Sequence, residues 1–157
     1  MTLMLKGYEA RTFDLVAYQA MEPSGNGLLS AELAHDTESG RLCTGIDKLA
    51  QRFLLEFLRK TDSTPYREER GCRFMTLLTQ GALSSITDVF IAYAQSVVEV
   101  ADTLEGEEDD TDPDDERFAS AKLERVSILD GTIILGIRLT SRAGTSSRRL
   151  LPLSFAV

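Results

Sequence analysis

The chain has no tryptophan, two cysteines and a single histidine. Each scarcity excludes a chemistry. A structural zinc site takes four converging ligands, and Cys43, Cys72 and His35 are too few and too scattered to supply them. There is no CxxC pair. Spacing alone leaves a Cys43–Cys72 disulfide open, while the scarcity favours reduced thiols that act as small buried hydrophobes. A Ser-His-Asp triad would have to use His35, and no GxSxG precedes any serine. No GxxxxGK[ST] occurs, and Gly25-Asn-Gly27 is too short to cradle phosphate. No catalytic residue, cofactor or metal is expected.

Long apolar runs are also missing, so no transmembrane helix and no membrane partner are expected. Met1 to Gly7 has one lysine and no apolar stretch or small-residue cleavage site, and no signal peptide is expected there. Basic residues are outnumbered, 17 Lys and Arg against 25 Asp and Glu, for a net charge of −8. Nine of the acids lie between Glu105 and Glu116, with no base among them. Without that run sixteen acids face seventeen bases, so the rest of the chain is near neutral. A nucleic-acid binder needs a basic face to release counterions, and this chain offers none.

What remains is a 157-residue, 43% hydrophobic chain, enough for one domain with a real core. The acidic run lacks the glycine and final glutamate of an EF-hand loop, and reads as a solvated loop or a frayed helix end. Its carboxylates repel one another in water rather than sharing the apolar pocket that glycoside cleavage requires.

Residues 1–45 form an N-terminal extension. Phe13 to Tyr18 fits a short strand, and Leu28 to Ala34 with Arg41 to Cys43 fits a small β-hairpin. Residues 46–157 carry the main domain. Ile46, Leu49, Ala50, Phe53, Leu54, Phe57 and Leu58 recur at helical spacing, which predicts a helix over Ile46 to Arg59. Asp47, Lys48, Gln51, Arg52, Glu56 and Arg59 make its wet face, with Thr44 as its cap. A charged loop, Arg67-Glu-Glu-Arg-Gly71, follows. A helical turn fits Phe74 to Leu78, and a second long helix fits Ser85 to about Leu104, capped by Ser85 with Asp88. Its stripe is Ile86, Val89, Phe90, Tyr93, Val97, Val100, Ala101 and Leu104. From Lys122 to Ala156 the chain reads as three strands joined by Asp130-Gly131, a strong two-residue hairpin signal, and by a looser turn over Arg142 to Ser147. Pro152 cannot donate to a ladder, which suits an edge strand. The order predicts an α+β fold: two amphipathic helices packed on a C-terminal antiparallel β-meander. An edge strand is a natural docking site for another chain. The mixed-charge residues Arg67, Glu68, Glu69, Arg70 and Arg73 could serve an interface, and Arg148 and Arg149 could protect that edge or steer an acidic partner.

Residues 46–155 resemble the contractile-phage baseplate wedge proteins called sheath initiators, and their counterpart in the type VI secretion baseplate. The resemblance rests on Gly45-Ile-Asp-Lys-Leu-Ala-Gln-Arg-Phe-Leu54, on the loop Thr61 to Gly71, and on closing strands that end in Leu151-Pro-Leu153. The family's Glu-Pro-Arg triplet is matched by Glu116-Arg117, with no proline between them, and Glu105 to Asp112 looks like an insertion ahead of it. Members are also called lysozyme-like, yet the resemblance implies a structural role and no hydrolysis.

That resemblance implies a virion protein of the tail baseplate, assembled in the host cytoplasm, with six copies around the tail axis. It would join the wedge to the first sheath ring and initiate sheath assembly by strand addition. Gln51, Arg52, Arg67, Arg70 and Arg73 would dock on wedge proteins, with Glu116 and Arg117 at the wedge core. Arg148, Arg149, Leu151, Leu153 and Phe155 would dock on sheath protein; residues 1–45 lie outside the resemblance, and an extra contact with the tail tube or the wedge is open to them. A bacterial anti-adaptor resembles the same fold, so a regulatory protein-binding module is the alternative.

Overall fold

The computed structural model describes residues 14–15, 19–20, 31–32, 42–63, 65 and 70–154. In chain order the elements are β1 (Asp14–Leu15), β2 (Gln19–Ala20), β3 (Ala31–Glu32), β4 (Leu42–Cys43), α1 (Ile46–Leu58), α2 (Phe74–Thr79), α3 (Ile86–Glu107), β5 (Phe118–Leu129), β6 (Thr132–Ser141) and β7 (Ser146–Ser154). The helices pack on a three-stranded antiparallel sheet of order β5-β6-β7, so the fold is α+β as expected.

The hairpin β5-β6 turns on Asp130 (φ 47°) and Gly131 (φ 74°), the paired left-handed conformations of a type I′ turn. Along β6, Ile133, Leu135, Ile137 and Leu139 point into the core, joined by Leu151 and Leu153 of β7. On β5 the inward residues are Phe118, then Ala121 and Leu123, then Val126 and Ile128. That sequence changes parity twice. The register shifts between Phe118 and Ser120 and between Leu123 and Arg125 make this possible, because one extra residue in a strand swaps the faces of all that follow. The strand therefore begins four residues before the expected Lys122.

Helix α1 lies against β6, β7 and α3, while α3 lies against β5. Aromatic rings join these layers. Phe57 meets Phe53 (5.8 Å between ring centres), Phe74 (4.9 Å) and Tyr93 (5.6 Å), and Phe53 stacks on Phe118 at 6.1 Å. Phe53, Phe57 and Phe74 are fully buried. Removing one such ring costs about 3–5 kcal/mol. The buried Tyr93 hydroxyl donates to Ala121 O, and burial pushes its pKa well up.

Several expectations are corrected. Helix α1 is capped by Gly45, and Thr44 donates to Glu116 instead of capping. Gln51 and Glu56 belong to the interior rather than the wet face, since both have internal polar partners. Leu55, which lies off the stripe, is exposed. On α3 the Ser85–Asp88 capping box is present, but Ile86 and Phe90 are exposed. In the N-terminal segment β4 pairs with β1, and β3 with β2, so Leu42–Cys43 returns to Asp14–Leu15 rather than to Ala31–Glu32. Cys43 reinforces that pairing by donating from Sγ to Asp14 O. Both cysteines are free and buried.

Candidate protein-interaction surfaces

The charged residues singled out in the sequence fall into two internal clusters and one exposed sheet face. The first cluster centres on Glu116. A tight turn after Pro113 presents its side chain to the N-terminus of α1. Glu116 Oε1 accepts from Thr44 Oγ1 (2.8 Å) and Gly45 N (3.0 Å), and Oε2 accepts from Lys48 Nζ (2.6 Å). A carboxylate there also complements the helix dipole. Burial pushes its pKa up, but the hydrogen bonds from Lys48, Gly45 and Thr44 outweigh that and hold it below the ordinary glutamate value. The neighbouring Arg117 reaches Glu108 at 3.4 Å, and Arg142 reaches the same carboxylate at 2.8 Å. Glu108 also accepts from Phe118 N. The Glu116-Arg117 pair thus fastens the start of the sheet to α1 and to the acidic segment.

The second cluster centres on Glu56. It accepts from Arg59 (2.7 Å), Arg70 (2.6 Å) and the Gly71 backbone (3.2 Å). Arg70 also pairs with Glu107, which Arg52 approaches at 3.5 Å. Gly71 has φ +89°, and a Cβ there would lie 2.6 Å from Arg59 O. Only glycine allows this close approach, through which Cys72 N donates to Arg59 O. The Gly that ends the charged loop is therefore a backbone requirement.

Gln51 is buried, donates to Asp14 Oδ2 at 3.1 Å and accepts from Cys43 Sγ. It joins α1 to the β1–β4 ladder. Arg73 is exposed and pairs with Glu99. Arg67 and Phe155 lie outside the described residues.

The third group lies on the sheet face turned away from the helices. Glu124 of β5 pairs with Arg138 of β6 (2.5 Å) and Arg148 of β7 (3.0 Å), crossing all three strands. Arg148 is 72% exposed. Arg149 faces the other way and reaches Asp47 of α1 at 2.5 Å. Leu151 and Leu153 are buried, so they hold β7 in place. Within its sheet β7 is one edge and β5 the other, and β2 lies beside β7.

Of the twelve sequence-predicted site residues, Gln51, Glu116, Leu151 and Leu153 are interior, while Arg73 and Arg148 are exposed. Arg52, Arg70, Arg117 and Arg149 are half-buried in ion pairs. Sequence reasoning missed Glu107 as the partner of Arg52 and Arg70, Glu99 of Arg73, Glu108 of Arg117 and Glu124 of Arg148, pairs that no helical spacing connects. It also missed an exposed apolar strip on α3, although Ile91, Ala94 and Val98 recur at helical spacing off the main stripe.

Among the described residues no group of acids, cysteines or histidines is arranged to hold a metal ion, and no helix is long and apolar enough to cross a membrane. No family model, curated protein or solved structure matches the chain.

Proposed function

We propose that this chain is a structural component of a contractile-tail baseplate that links the wedge to the first sheath ring and initiates sheath assembly. The mechanism is strand addition: a sheath strand pairs along β7, so main-chain hydrogen bonds supply affinity with little demand on side-chain sequence. The observation that supports this reading is the position of β7. It is an edge of the terminal sheet, held from inside by Leu151 and Leu153, and it carries Arg148 on its outward face. A strand approaching β7 also meets β2.

The resemblance to sheath initiators adds the wedge side. Glu56 holds Arg70 and the Gly71 amide beside α1, and the exposed Arg73 follows them. On this reading the Glu56 cluster holds Arg70 and Gly71 in place for docking, and Arg73 makes the outward contact. The role is passive and needs no cofactor.

Depletion tests the proposal. Baseplates assembled without this chain should carry tail tubes but no sheath, and adding the purified chain should restore sheath growth. Normal sheath on depleted baseplates would contradict it, and a tight complex with a soluble regulatory partner would favour the anti-adaptor alternative. Truncation before Arg148 is a poor test, because it strips Leu151 and Leu153 from the core.

A further inference from the structure

Helix α3 buries Val89, Ala92, Tyr93, Val100 and Leu104 and leaves a second apolar strip in solvent. Ile86 (51% exposed), Phe90 (46%), Ile91 (55%) and Val98 (58%) lie on it with Ala94. At 100° per residue these five fall within one face, and the same face continues into the exposed Asp102 and Glu105. The apolar part runs about 18 Å along the helix, and with the two acids the strip reaches about 28 Å. Apolar side chains clustered like this on a surface mark an interaction site.

We propose that this strip is a docking surface for an amphipathic helix of another protein, about 20 residues long, whose apolar stripe ends in lysine or arginine. Charge selects that occupant. Among the described residues no cation pairs with Asp102 or Glu105; in the adjoining loop Asp109 is exposed, and the exposed Asp110 and Asp114 each lie 4.0 Å from Arg117. A second copy of α3 fits poorly. Laid antiparallel it would offer Asp102 and Glu105 no cation, because α3 contains no lysine or arginine, and laid parallel it would set them against themselves. An anionic membrane meets the same repulsion. A basic helix end instead gains attraction where the strip is acidic and burial where it is apolar. This surface is separate from β7 and does not depend on how β7 is used.

The test uses the full-length chain and three synthetic 20-residue helical probes. One carries a leucine stripe ending in lysines, one the same stripe ending in glutamates, and one a serine stripe ending in lysines. Fluorescence anisotropy should show the first binding about tenfold or more tighter than either control, and weakening with salt. Phe90→Ser with Ile91→Ser should cost about tenfold or more in that binding, and Asp102→Lys with Glu105→Lys should reverse the preference between the charged probes. All four residues are exposed, so melting temperatures should hold and a lost signal would report the surface. Equal binding of the charged probes, or indifference to these substitutions, would overturn the proposal. So would self-association of the chain that Phe90→Ser abolishes, or stronger binding to phosphatidylglycerol vesicles than to the lysine-ended probe.

Discussion

Glu116 Oε2 lies 2.6 Å from Lys48 Nζ, a contact between residues 68 positions apart. The pair ties the start of the sheet to the first turn of α1, and the same carboxylate takes the Thr44 hydroxyl and the Gly45 amide. Glu116→Ala should therefore lower unfolding free energy by about 3 kcal/mol, since it strips a buried, multiply bonded charge from its donors. Urea denaturation checks this. The pH dependence has a definite sign. The folded pKa of Glu116 is lowered from 4.5, so its contribution is fully present above about 4.5 and is lost as pH falls through the folded value. Below pH 4.5 the stability of the native chain should fall more steeply than that of Glu116→Gln. Parallel profiles would mean that the pair does not stabilise the fold.

Gly71→Ala should destabilise by about 1–3 kcal/mol, because the site combines a left-handed backbone with a carbonyl 2.6 Å from the new Cβ. Gly144→Ala is the control, with φ +79° but nothing within 4 Å of a Cβ. It should cost less. Thermal melts of the two variants compare directly, and equal losses would show that the close approach to Arg59 adds nothing.

The thiols of Cys43 and Cys72 are buried, and burial is the main cause that raises both pKa values. Neither should react with Ellman's reagent at pH 8 in the native chain, and both should react in strong denaturant. Fast native reaction of Cys72 would place it at a surface that the fold does not have.

Much of this architecture was legible, and the exceptions share a cause. Helices α1 and α3 and the Asp130-Gly131 hairpin were visible because their signals are local: periodicity, a Ser85–Asp88 box and a two-residue turn. The start of β5 was not, because two bulges break the alternation that marks a strand. The interior placement of Gln51, Glu56 and Glu116 was also hidden. A polar residue reads as exposed until its partners are known, and three of those partners, Asp14, Arg70 and Lys48, lie at least 14 positions away in sequence. The candidate site suffered most from this, since a conspicuous charged motif can brace a fold as readily as it can meet a partner.

Arg148→Glu separates docking from folding. The side chain is 72% exposed and, among the described residues, pairs across a solvated sheet face with Glu124, so stability should change by no more than about 1 kcal/mol. On the strand-addition account, the reversed charge on the docking edge should slow sheath growth from baseplates while the variant melts nearly as the native chain does. A variant that melts normally and nucleates sheath at the native rate would remove Arg148 from the contact.

The most direct measurement of the central claim is a cryo-electron microscopy reconstruction of contractile tails containing this chain. The account predicts six copies between baseplate and first sheath ring, each with β7 hydrogen-bonded to a sheath strand. Absence of the chain from that position, or a β7 with no sheath strand beside it, would contradict the account.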